Sequence, residues 1–324
     1  MRKEIGSEFW SVPVAGDNGL FADAVWFVSG RSALYAIIRE NTFKTVALPD
    51  WCCDSMIKPF VDNGIAVRFY PAMSEIGNIE ADAVLIMDYF GYTGQSRRGD
   101  FKGTVIRDLT HSIFSKAYDD ADYYFGSLRK WAGFYTGGFA MGLKHPVVYE
   151  GDSADYITLR QSAMEAKEAY ISELIVNKDY LMLFAEAEEM LEGLGVAPAC
   201  NADVERAKTL DIDFICRQRR SNASVLLNAF SNLAVFPEMK EADCPLFVPI
   251  LADNRDALRK HLIEKEIYCP VHWPVSVYHK LPKATEVFYN RELSLVCDQR
   301  YTEQDMLRIV DAVKEFLRKE KCDV

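Results

Sequence analysis

The sequence has no Cys-x-x-Cys pair, no His-Glu-x-x-His and no apolar run as long as a membrane span. Each absence excludes a class. Its five histidines show no ligand spacing, so no metal site is expected. Its eight cysteines are scattered and form no disulfide framework, which reads as reduced thiols in a cytosolic, cytoplasmic protein. Positive charge is outnumbered, 37 Lys and Arg against 48 Asp and Glu. A net charge of −11 argues against a general nucleic-acid binder and against docking on an anionic membrane. A local basic pocket for a phosphorylated ligand stays compatible with that balance. The opening Met1-Arg2-Lys3-Glu4 has no apolar stretch behind it, so no secretory signal is expected. Internal repeats and low-complexity tracts are missing as well.

What is present is core. The 324 residues are 49% apolar, enough for one large domain or two ordinary ones. Residues 1–20 read as irregular. Short apolar strands are expected at Ala24–Val28, Thr45–Leu48, Ala66–Tyr70, Ala83–Asp88, Thr104–Asp108 and Asp122–Gly126. Helical or loop segments separate them, a pattern that predicts an α/β fold with a mostly parallel sheet covered on both faces. Helical spacing follows from Ala154 to Leu191 and from Ala202 to Phe230. From residue 232 the organisation changes to a strand, a helix, two extended segments and a final helix, Glu303 to Arg318. We therefore expect a large domain over 1–231 and a smaller α+β domain over 232–324.

In parallel sheets the ligand crevice lies at the carboxyl ends of the strands. Ser29-Gly30-Arg31-Ser32, Trp51, Asp88, Asp108, Ser127 and Lys130 all fall there. A strand, a glycine turn and a helix start at Ser29–Ser32 suit an anion, because free N–H groups and the helix dipole favour negative charge. The same residues equally suit an ordinary helix cap. Each strand-end acid serves equally as a cap or as a functional carboxylate. Lys130, flanked by Leu128 and Trp131, is poorly placed for a solvated face, and partial burial would favour the neutral amine that a Schiff-base lysine needs. Arg217-Gln218-Arg219-Arg220 reads either as a solvated helix face or as a site for a diphosphate or carboxylate.

These pieces together resemble the DegT/StrS-type (DegT/DnrJ/StrS) aminotransferases, pyridoxal-phosphate (PLP) enzymes of fold type I. The resemblance runs from Ser29-Gly30-Arg31-Ser32-Ala33-Leu34 through Val105–Ser112 and Ser127–Trp131 with Gly137-Gly138, to Ile267–Pro274 and the last helix. It implies a PLP-dependent transferase fold with a mostly parallel central sheet in the large domain. Lys130 matches the lysine that carries PLP as an internal aldimine and later moves the substrate proton. Asp108 matches the carboxylate facing the pyridine nitrogen, where its charge keeps that nitrogen protonated. Gly30, Arg31 and Ser32 match the phosphate turn, and Ser127 matches a hydroxyl that joins it. Trp51 resembles the aromatic that stacks on the ring. His111 matches a position that orients the acid. Asn222 resembles a residue reaching the phosphate of a neighbouring subunit, which implies a homodimer with a shared active site. The implied reaction moves an amino group from an amino-acid donor, such as glutamate, to a keto acceptor such as a nucleotide-linked sugar. Another PLP reaction, such as a lyase, and a non-catalytic binding protein on the same fold are the alternatives. The chain departs from the family pattern in two places. Only Leu128 and Arg129 separate Ser127 from Lys130, and Tyr135-Thr136 precede the glycine pair where many members have Gly-Glu.

Overall fold

A computed structural model describes residues 4–19, 21–116, 121–279 and 281–322. The chain starts with a two-residue strand, β1 (Ile5–Gly6), where irregular structure was expected. Then come β2 (Val25–Phe27), α1 (Gly30–Glu40), β3 (Thr45–Pro49), α2 (Asp54–Asp62) and β4 (Ala66–Tyr70). Next are β5 (Ala83–Met87), β6 (Thr104–Asp108), β7 (Tyr123–Ser127) and β8 (Gly138–Met141). A single 3-10 turn, Leu128–Lys130, leaves β7 directly.

Seven of these strands form one sheet in the order β2-β8-β7-β6-β5-β3-β4. Strands β4, β3, β5, β6 and β7 run parallel, while β8 runs antiparallel to both β7 and β2. All five residues of β5 are buried, as expected for a strand covered on both faces. Because β5, β6 and β7 are parallel, Met87, Asp108 and Ser127 end on the same edge. The antiparallel β8 begins where its neighbours finish. Gly138 therefore pairs with both Ser127 and Phe27. That row brings the turn after β2 beside the turn after β7.

The helical stretches expected at 154–191 and 202–230 each break in two. They give α3 (Ala154–Ile171), α4 (Tyr180–Glu192), α5 (Asn201–Lys208) and α6 (Ile212–Phe230). The C-terminal part holds β9 (Phe247–Leu251), α7 (Arg255–Glu264), β10 (Ile267–Tyr268), α8 (Lys283–Arg291), β11 (Glu292–Val296) and α9 (Glu303–Cys322). Helix α8 and strand β8 were not anticipated. Strand β9 pairs antiparallel with β11, and on its other side Ala234 bridges Ile250 while the Val235 N–H donates to the Pro249 carbonyl at 2.9 Å, so Pro249 lies between two neighbours rather than on an open edge. The apolar core on β9 and β11 takes in Ile5 and also Ala223, Leu226, Leu227 and Phe230 of α6. It is thus not confined to residues 232–324. Strand β1 pairs in parallel with β10, which ties the front of the chain to its last third. Among the described residues no helix is long and apolar enough to cross a membrane.

Candidate active site

At the carboxyl edge of the sheet lies a cavity of about 460 Å³. Gly30, Arg31, Asp108, His111, Ser127 and Lys130 all line it. A second cavity of about 430 Å³ adjoins it, and Glu8, Arg129 and Lys130 line both. Lys130 therefore stands on the wall between two chambers.

The first chamber is built on the start of α1. Ser29 caps this helix, its Oγ accepting the Ser32 N–H at 3.1 Å. Gly30 lies against the Gly126 carbonyl, where an added Cβ would come within 3.3 Å of the oxygen. Gly138 is tighter still, since a Cβ there would meet Ser29 backbone atoms at 2.1 Å. The glycines thus let three backbone segments close on one spot beside Ser127. Arg31 lines the chamber, and its Nη1 is buried without a hydrogen-bond partner among the described residues. Ser32 does not take part. It turns away to Ala197, donating from Oγ to the carbonyl at 3.3 Å and accepting the N–H at 2.9 Å.

Asp108 is buried, and its Oδ1 accepts the Thr110 N–H at 2.7 Å. No cation is ion-paired with it among the described residues. Burial therefore pushes its carboxyl above the usual range, although the Thr110 bonds and Lys130 pull the other way. His111 does not orient Asp108 as expected. Its Nδ1 accepts the Phe90 N–H at 3.4 Å, and its Nε2 faces Lys130 Nζ at 3.0 Å. Burial, helped by Lys130 and His272, holds this imidazole well below its ordinary pKa and therefore neutral.

Trp51 is fully buried and does not line either chamber. It is sandwiched between Tyr89 (centroids 4.9 Å apart) and Phe288 (4.5 Å), and its Nε1 donates to the His272 carbonyl. The aromatic ring beside Lys130 in the first chamber is Trp273, stacked on His111 at 5.4 Å, with Lys130 Nζ 6.0 Å from its ring centroid. Asn222 is also withdrawn. Its amide donates to the Cys297, Asp298 and Tyr301 carbonyls inside the chain. The arginine run divides. Arg217 is exposed, while Arg219 is buried over Trp131 and bonds Gln299 and the Pro245 and Leu246 carbonyls. Arg220 donates to the carbonyls of Lys240, Glu241 and Asp243.

Sequence reading missed a set of charged residues on the first chamber. Arg129 pairs with Glu188, which also accepts from Arg160 at 3.3 Å, and Arg160 reaches Glu8 at 2.9 Å. Only Arg129 stood beside a residue already singled out. Arg160 and Glu188 look like ordinary helix charges in sequence, and Glu8 lies in a stretch read as irregular. Among the described residues no cluster could hold a metal ion.

No protein-family model matches the chain, and no curated protein matches it in sequence. Solved structures do. A DegT DnrJ EryC1 StrS aminotransferase from Brucella abortus superposes with a TM-score of 0.59 at 14% identity, covering 90% of this chain and 85% of that one. Spr1654 from Streptococcus pneumoniae, a putative sugar aminotransferase in its PLP form, gives 0.58 at 12% identity, covering 91% and 87%. DesI, solved in the presence of its TDP-sugar product, gives 0.61 at 14% identity, covering 92% and 83%. The chain thus has the fold of the DegT/StrS-type sugar aminotransferases, an α/β fold around a mostly parallel sheet.

Proposed function

We propose that the protein is a PLP-dependent aminotransferase acting through Lys130. The observation that carries this reading is one chamber combining an unpaired buried carboxylate, an amine and an anion-binding helix start. Asp108, Lys130 and the Gly30–Arg31 turn supply these three parts. The residues fit the cofactor. The unpartnered Arg31 Nη1, the Ser127 hydroxyl and the free N–H groups at the start of α1 suit a phosphate. Asp108, lacking a cation of its own, suits a protonated ring nitrogen. When bound, PLP would supply an aldehyde carbon that takes up amines and a ring that withdraws electrons.

The chain's own groups do the rest. Lys130 takes a proton from the substrate carbon and returns one, as a general base and acid. His111 sits within hydrogen-bond reach of the lysine amine and orients it. Trp273 closes the chamber wall and excludes water beside the amine. Gly30, Arg31, Asp108, His111, Ser127 and Lys130 form the proposed site. Ser32, Trp51 and Asn222 contribute no side chain to it.

The donor is read as an amino acid and the acceptor as a keto group, with a nucleotide-linked sugar supported by the TDP-sugar product of DesI, which shares the fold. A homodimer is retained as part of this reading, without Asn222 as its link; sedimentation of the purified protein tests it.

Purified protein should be yellow, with an absorbance that borohydride abolishes and that Lys130→Ala lacks. Glutamate should convert the yellow form to the amine form. Colourless protein that takes up no PLP would overturn the proposal.

A further inference from the structure

The second chamber holds an arrangement that the proposed reaction does not use. His272 lines it, and the ring is in edge contact with His111 at 5.6 Å between centroids. Its Nδ1 is 2.9 Å from Ser294 Oγ, and Ser294 Oγ is 2.5 Å from Glu292 Oε1. Glu292 Oε2 accepts the His272 backbone N–H at 2.7 Å, and the Ser294 N–H donates to the Pro270 carbonyl at 3.0 Å. The His272 loop is thus pinned to β11 at three points. Ser294 and Glu292 are fully buried. Glu292 has no ion-pair partner among the described residues. The nearby Arg255 spends its Nη1 on the Glu292 backbone carbonyl and its Nε on Asp256. His272 Nε2 has no hydrogen bond to the described residues.

A buried carboxyl with no cation is costly to keep, so its position calls for an explanation. Here it ends a line of exchangeable protons that opens on the chamber beside Lys130. We infer that His272, Ser294 and Glu292 form a proton relay that lets His272 Nε2 exchange a proton with an oxygen of the molecule bound in the second chamber. His272 is the exchanging group; Ser294 and Glu292 position it and store the proton.

The relay balances. Nε2 gives its proton to the substrate oxygen, Nδ1 takes the Ser294 hydroxyl proton, and Ser294 Oγ takes the Glu292 carboxyl proton. Three bonds to hydrogen break, three form, and nothing is oxidised. The return step runs the same bonds backwards. Burial pushes Glu292 up to about 8, so the stored proton is present near neutrality. Burial, together with Lys130, keeps His272 well below its ordinary pKa, so the ring shuttles between neutral tautomers. Lys130, His111 and Glu292 are the titratable groups facing His272. Arg129, Arg219, Asp298 and Arg300 line the same chamber. The inference rests on the Lys130 site being catalytic.

Nitrogen NMR of the full-length protein labelled at histidine tests it, with the His272 signal assigned by its loss in His272→Gln. As pH rises through about 8, the wild-type ring should change from the Nε2–H to the Nδ1–H tautomer without becoming charged. Ser294→Ala should abolish that change. A wild-type tautomer fixed across the range, a ring that charges, or an unaltered switch in Ser294→Ala would overturn the relay. The wild-type titration decides the matter even if a variant fails to fold. PLP uptake, measured on the same samples, reports separately on the aminotransferase reading.

Discussion

Lys130 Nζ and His111 Nε2 stand 3.0 Å apart, although they follow the ends of two different strands, β7 and β6. The Phe90 N–H occupies Nδ1, which leaves the neutral ring's proton on Nε2, the nitrogen that faces the amine. His111→Phe should keep the yellow colour and lower turnover, whereas Lys130→Ala should lose both. Proton transfer by a placed side chain contributes about 10²–10⁴-fold, so Lys130→Ala should lose at least that much. Absorbance and single-turnover rates, read side by side, check the separation.

Asp108→Asn should act in opposite directions on stability and on cofactor binding. Burial raises the Asp108 carboxyl above the usual range. The unfolded chain therefore ionises at lower pH than the folded one, so this residue costs stability increasingly as pH rises through that window. Removing the charge should raise the melting temperature of cofactor-free protein at neutral pH. PLP affinity should fall, by roughly 10–100-fold if the lost partner is an ionic hydrogen bond of about 1.5–3 kcal/mol. Thermal melts and PLP titrations on the same variant check both signs.

Glu292 gives a pH dependence that is large for a single group. Its ordinary pKa of 4.5 is pushed to about 8 by burial. Between those values the folded protein binds the extra proton, so stability declines as pH rises and the loss is complete above about 8. Glu292→Gln should flatten this slope and gain on the order of a few kcal/mol at the alkaline end. Urea unfolding on both sides of the window measures it.

Glu4, just before β1, shows how a residue beside a short strand can matter. Its carboxylate pairs with the fully buried Lys167 and with Lys178 at 3.2 Å. Glu4→Gln leaves a buried ammonium without its counter-charge and should cost about 3–5 kcal/mol. Denaturant unfolding tests this, and a change below 1 kcal/mol, about that of a surface pair, would contradict it.

Gly138→Ala should loosen the anion-binding turn. The new Cβ would strike Ser29 backbone at 2.1 Å, and backbone cannot swing aside as a flexible side chain does. Overpacking of this kind costs about 1–3 kcal/mol, and PLP affinity should fall with it. Tm and PLP titration together check it.

How far the residues were legible follows from where their partners lie. Most of the parallel strands could be read because β3, β5 and β6 carry their own buried apolar runs, and the strand-end positions of Asp108, Ser127 and Lys130 followed because strand ends are local features. Trp51 misled for the same reason. It does follow a strand, but Phe288 of the unanticipated α8 closes over it from 237 residues away in sequence, by subtraction of the two positions. Asn222 was equally opaque, since carbonyls at 297, 298 and 301 claim its amide. Arg219 read either as a solvated charge or as an anion ligand, yet Trp131 and Gln299 draw it inside. In each case the local sequence suited either role, and a distant segment decided.

The pairing of β1 with β10 has a consequence for how the protein is made. Gly6, Ser7, Glu8 and Phe9 wall the second chamber, and the Ile5 N–H is held by the Glu266 carbonyl at 2.9 Å. Ile5 and Gly6 therefore have no strand partner until residues 266–268 have been synthesised. The central sheet can assemble on the emerging chain, but the chamber beside Lys130 closes only after residues 268–300 have followed it.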